Sequence, residues 1–116
     1  MQSLDCPVIT VGEGAVASMA AVILACGDHR QVYRHTQVLI HQLMGGTGMA
    51  QQTDIEIAAQ HTAALRAELD ELLAEHGNLS AQEFHELTER DCWCNAKRAL
   101  ELGLVDEVIA PSKKAL

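Results

Sequence analysis

The chain has little aromatic and little basic character. One Trp, one Tyr and one Phe occur among 116 residues, so its 48% hydrophobic content rests on Ala, Leu, Val and Ile, the side chains of helices packed over a buried sheet. Eight Lys and Arg stand against sixteen Asp and Glu, a net charge of −8. That balance argues against a nucleic-acid or anionic-membrane partner, since both need a basic footprint. No long apolar run is present: the longest, residues 15–26, falls short of the roughly 20 residues needed to cross a bilayer. The first seven residues carry no basic region and are interrupted by Asp5, so no export signal is expected and the chain is assigned to the cytoplasm. Zinc-type spacing is missing as well. Cys6 and Cys26 stand alone, and Cys92 and Cys94 are separated by a single residue. His29, His35 and His41 recur at an interval that does not align them on a helix face, so reduced thiols, no metal and no cofactor are expected.

What is present fits one α/β domain over residues 1–116, long enough to bury a core. Residues 7–11 read as a buried strand, Gly12-Glu13-Gly14 as a tight turn, and residues 15–26 as an apolar helix. Two short strands are expected at residues 31–34 and 37–41. The strongest helical signal follows at about residues 53–76. Thr53-Asp54-Ile55-Glu56 has the form of a capping box, and Ile55, Ala58, Ala59, Thr62, Leu65, Leu69, Leu72 and Leu73 make one stripe, with Glu56, Gln60, Arg66, Asp70 and Glu71 on the polar face. Ser80-Ala81-Gln82-Glu83 predicts a second capped helix. Asn95 caps a third that stops at Gly103, a last strand spans residues 105–109, and the tail from Pro111 frays.

Three side chains sit where a nucleophilic triad would want them. A serine hydroxyl is a weak nucleophile unless an imidazole takes its proton and a carboxylate orients that imidazole. Ser18 lies at the start of the expected first helix, where unpaired backbone N–H groups and the helix dipole can stabilise an oxyanion, with the Met19 N–H as the natural donor. His41 ends the strand-like Val38-Leu39-Ile40 and precedes a flexible segment, and Asp91 closes Thr88-Glu89-Arg90-Asp91. Taken singly, Ser18 could be a small packing residue, His41 a core histidine and Asp91 a solvated helix end.

Five stretches in order, Ala17-Ser18-Met19, Leu39-Ile40-His41-Gln42 with Gly45-Gly46, Thr53-Asp54-Ile55-Glu56-Ile57, Thr88-Glu89-Arg90-Asp91 and Gly103-Leu104-Val105-Asp106, resemble the proteolytic subunits of Clp proteases. The likeness runs from about Val8 to Ile109 and corresponds to the C-terminal part of such a subunit, roughly three-fifths of it. It implies a ββα spiral of the type shared with crotonases, N-terminally incomplete, with residues 53–76 as a handle helix between stacked rings. It implies that Ser18 is the nucleophile, His41 the general base, Asp91 its orienter and Gly45 and Gly46 substrate-binding. It also implies a serine endopeptidase acting on peptides or unfolded proteins, in a homo-oligomeric ring or paired with full-length relatives, and fed by an AAA+ unfoldase. The family's Ser-Pro-Gly-Gly loop, which supplies a second oxyanion donor, is missing here, and Leu43 stands in place of a family proline. Loss of one such donor costs about 3–4 kcal/mol, a slow enzyme rather than a dead one. The alternative is a truncated, weakly active or non-catalytic subunit with an assembly role. A strand at residues 8–11 without its family neighbours would be an exposed edge that invites pairing.

Two rivals fit less well. Gly12-Glu13-Gly14-Ala15-Val16-Ala17 matches a G-x-G-x-x-A dinucleotide fingerprint, but the second strand, where a ribose-binding acid belongs, ends at His35. An acyl-CoA enzyme on the crotonase fold would want carboxylates beside its oxyanion hole rather than a serine and a histidine.

Overall fold

The computed structural model describes residues 1–111; the expected fraying of the tail from Pro111 lies, beyond that residue, outside them. The chain is mixed α/β, with two small sheets and a long helix. It begins with two successive ββα units: β1 (Ile9–Gly12), β2 (Ala15–Ala17) and α1 (Met19–Ala25), then β3 (His29–Tyr33), β4 (Gln37–Ile40) and α2 (Gln52–His76). There follow α3 (Ala81–Leu87), β5 (Cys92–Asn95), α4 (Ala96–Glu101) and β6 (Glu107–Ile109). The first strand of each unit joins one sheet and the second joins the other. The orders are β1-β3-β6, all parallel, and β2-β4-β5, where β2 and β4 are parallel and β5 runs antiparallel to β4.

The expected helix over residues 15–26 is corrected by this topology. Gly14, at φ +69°, turns the chain so that Ala15, Val16 and Ala17 align with Gln37, Val38 and Leu39. The ladder overrides the helical preference of alanine, and the helix starts only at Met19. The buried reading of the first strand is corrected too: β1 stands at the sheet edge, as the missing family neighbours led one to expect, and Ile9 and Val11 remain 62% and 51% exposed. The expected strands at 31–34, 37–41 and 105–109 are present with shifted ends.

Local capping signals fared unevenly. At Ser80 the box closes as expected, with the Glu83 N–H donating to Oγ at 3.2 Å and the Ser80 N–H donating to the Glu83 carboxylate at 2.8 Å. Hydrogen bonding from Ser80, chiefly its backbone N–H, holds the Glu83 carboxyl below its usual range. Asn95 accepts from the Arg98 N–H at 2.8 Å and caps α4, which stops at Glu101, two residues before Gly103 at φ +72°. No box forms at Thr53, because α2 begins one residue earlier and its N-cap, Gln51, makes no side-chain bond.

The core joins α1, both sheets and the C-terminal helices. Val32, Val38, Phe84, Leu102 and Leu104 are fully or almost fully buried, with Leu73 of α2 against them. Only the C-terminal third of α2 reaches this core. Ile55, Ala59 and Leu65 of the expected apolar stripe are exposed, and Leu73 is its one buried member. The polar face is corrected in the opposite sense: α3 packs against it, so Asp70 is buried and the Arg66 side chain is only 15% exposed. A helix of 25 residues measures about 37 Å.

Candidate active site

Ser18 occupies the single residue between β2 and α1, a sharp strand-to-helix turn. Its φ of 60° and ψ of −128° make it the one non-glycine residue with positive φ among the described residues. Such a conformation costs on the order of 1–3 kcal/mol and persists where surrounding structure enforces it. Here the Ser18 N–H donates to the Leu39 carbonyl at 3.1 Å, and its own carbonyl accepts the Ala21 N–H at 3.0 Å. The hydroxyl does not cap α1. It points instead at His41, and Oγ is hydrogen-bonded to Nε2. The Met19 N–H, at the first position of α1, has no intrahelical acceptor.

His41 follows the last residue of β4, which brings it beside Ser18 because β2 and β4 are neighbours in register. Its Nδ1 lies 2.5 Å from the Gln42 carbonyl oxygen. A carbonyl can only accept, so Nδ1 carries a proton, and a neutral ring then presents a bare Nε2 to the serine hydroxyl. The pair is arranged for transfer of the Ser18 proton to His41.

The third expected member stands differently. Asp91 immediately precedes β5 and lines one shallow hollow with His41, Gln42 and Glu89, but among the described residues its carboxylate makes no hydrogen bond to the imidazole. Gln42 supplies the acceptor at Nδ1. Gly45 and Gly46 are exposed in the segment between β4 and α2, which lacks regular structure; a Cβ on Gly45 would come no closer than 3.8 Å to the Thr62 hydroxyl, and one on Gly46 would meet nothing.

A cavity of about 350 Å³ adjoins Ser18 and His41, walled by Val22, Ile40, Leu69 and Leu73. Arg66 also lines it, a residue that sequence reasoning assigned to a solvated surface. Its guanidinium donates to the Gln42 side-chain oxygen at 2.9 Å, to the His85 carbonyl at 3.0 Å and to Glu89 at 3.1 Å. The only signal for it in the sequence was its place between helical residues flanked by Leu65 and Leu69, which does not by itself reveal burial. Asp106, at the end of Gly103-Leu104-Val105-Asp106, holds Arg30 in a two-pronged ion pair at 2.7 and 3.0 Å. That contact draws the Asp106 carboxyl below its usual range, chiefly through the Arg30 side-chain bonds.

A strand-to-helix serine in hydrogen-bond contact with a strand-end histidine defines a candidate nucleophile–base pair on a mixed α/β fold. The family model for Clp protease matches residues 1–112, and the chain belongs to that family. It is 38% identical over 112 residues to the ATP-dependent Clp protease proteolytic subunit of Lactococcus lactis subsp. cremoris (strain SK11), covering 94% of this chain and 56% of the relative. With the subunit of the same description from Streptococcus pneumoniae (strain Hungary19A-6) it shares 40% identity over 113 residues, 95% of this chain and 58% of that one. The chain thus spans a little over half the length of these curated relatives.

Proposed function

We propose that this chain carries the peptide-hydrolysing centre of a Clp-type serine endopeptidase. The observation that carries the reading is the contact of Ser18 Oγ with His41 Nε2 at an enforced positive-φ turn. In the proposed reaction Oγ attacks the scissile carbonyl carbon while its proton passes to Nε2. The tetrahedral oxyanion takes a hydrogen bond from the Met19 N–H. His41 then returns the proton to the departing amine, and water, activated by the same ring, hydrolyses the acyl-enzyme. Asp91, in the hollow beside the ring, is assigned to orient and offset the imidazolium charge, and the exposed Gly45-Gly46 backbone to hold the substrate strand. The apolar cavity suits an uncharged side chain next to the cleaved bond.

Membership of the family supports a peptide or unfolded-protein substrate, a ring of like subunits or pairing with longer relatives, and a separate AAA+ unfoldase in the cytoplasm. The ββα repeat is taken as part of the family's spiral, with α2 as its handle. Among the described residues no helix is long and apolar enough to cross a membrane. A second reading, a non-catalytic subunit with an assembly role, draws on the Gln42 carbonyl standing where a triad acid would bond. A fluorophosphonate probe separates the two. It is expected to label the wild-type chain and fail on Ser18→Ala and His41→Ala; equal labelling of wild type and Ser18→Ala would remove the nucleophile, and no labelling of the wild type would favour the assembly role.

A further inference from the structure

We propose that Arg66 is a positioning residue that fixes the proton on His41 by clamping Gln42; the inference rests on the Ser18–His41 pair proposed above. Residues 41–51 form no regular structure, so no backbone ladder holds Gln42 in place. Its side-chain amide does so instead. The Arg66 Nη1 donates to Oε1 at 2.9 Å, and Nε2 donates to the Glu89 carbonyl at 3.1 Å. Arginine can only donate and a carbonyl can only accept, so the amide has one permitted orientation and is fixed at both ends. Arg66 is itself held at its other prong by the His85 carbonyl and the Glu89 carboxylate, at 3.0 and 3.1 Å.

With its side chain tied to α2 and to the turn after α3, Gln42 cannot swing its backbone carbonyl away from His41 Nδ1. That carbonyl keeps the proton on Nδ1 and leaves Nε2 open to Ser18. A flat, five-donor fork suits this task, because one side chain must reach acceptors on three separate segments. Stability alone would not ask for it: among the described residues the Arg66 Nε is buried without a hydrogen-bond partner, a cost that a methionine of similar length would avoid. The clamp sets the base's tautomer from a residue that, among the described residues, makes no hydrogen bond to the serine or the histidine.

The test is the ¹⁵N spectrum of the His41 ring at alkaline pH, assigned by its loss in His41→Gln, together with the fluorophosphonate labelling rate of Ser18. Wild type is expected to show one dominant Nδ1–H tautomer. In Arg66→Met the Nε2–H form should rise and labelling should slow by about tenfold or more, as a misplaced base would. Arg66→Lys keeps the charge but cannot reach all three acceptors, so it should fall between; it also serves if the methionine variant does not fold. An unchanged tautomer in both variants overturns the clamp whatever the labelling. If wild-type Ser18 never labels yet the tautomer shifts, the clamp stands and the peptidase reading falls. If labelling and tautomer are both unchanged, the clamp falls and the peptidase reading stands.

Discussion

Asp106→Ala should cost the fold heavily, because it leaves two nitrogens of a buried guanidinium without an acceptor. The Arg30 side chain is 10% exposed and that of Asp106 is 37% exposed. Three bonds end on the carboxylate: Arg30 Nη2 at 2.7 Å, Nε at 3.0 Å and the Arg30 backbone N–H at 2.9 Å. Arg30 Nη1 keeps the Ala25 and His76 carbonyls at 3.0 and 2.8 Å, so two of its three nitrogens, and a backbone amide, lose their acceptor in the variant. Removing one partner of a fully buried pair costs about 3–5 kcal/mol. Since water reaches the outer side of Asp106, a discounted loss of roughly 2–3 kcal/mol is expected. On a chain of this size that corresponds to a fall in Tm of about 8–12 °C. The pH dependence carries an independent sign. Because the folded-state pKa of Asp106 is lowered, the unfolded chain binds the proton more readily in acid. The pair's contribution is therefore fully present above about pH 4, the ordinary aspartate value, and is lost as pH falls through the lower folded value. Urea unfolding followed by circular dichroism between pH 3 and 7 measures both effects. Replacing both partners with apolar residues, Arg30→Met with Asp106→Leu, should recover only part of the loss: the buried charge disappears with its partner, but the Arg30 backbone N–H and the Ala25 and His76 carbonyls lose the bonds the pair gave them. A loss below about 0.5 kcal/mol in Asp106→Ala, or an acid limb as steep as in wild type, would refute the assignment.

Gly103→Ala should destabilise by about 2 kcal/mol or more, since φ is +72° and a Cβ would lie 2.7 Å from the Asn78 backbone nitrogen; an unchanged urea midpoint would contradict this. The Cys94 thiol, pushed up to about 12 mainly by burial, should resist iodoacetamide in the native state while exposed Cys6 reacts first. Its raised folded value also means that stability is whole below the ordinary thiol pKa and declines above it, as the unfolded thiol ionises; equal alkylation of Cys6 and Cys94 would count against both statements. Ile9 and Val11 on the β1 edge, Met19 and Ile23 on α1 and Ile55 and Ile57 on α2 are all exposed, so the chain should associate. Light scattering that returns a monomer at every concentration would sink that expectation.

The residues that legibly predicted structure did so through short-range bonds. Ser80 and Glu83 are three apart and satisfy each other, Asn95 reaches the amide of Arg98, and the span of α2 follows from an unbroken helix-favouring run ending at Gly77. Ser18 and His41 were legible as chemistry from their neighbours, and the parallel register of β2 with β4 delivers the contact. Asp91 was read from the same kind of motif, yet its motif says nothing of which acceptor faces Nδ1.

Sequence alone therefore determined the four helices and four of the six strands in their order, β2 and β5 excepted, together with two of the helix caps, the nucleophile–base candidates and, through colinear motifs, the family. Tertiary structure decided the rest: that alanines 15 and 17 lie in a strand, that Arg66 and Asp70 are buried on a polar-looking face, and that Gln42 rather than Asp91 meets the imidazole. The division has a physical cause. A cap or a turn is closed by groups a few residues apart, whereas burial and proton placement depend on which surfaces meet after the chain has folded, and partners such as Gln42 and Arg66 are 24 residues apart.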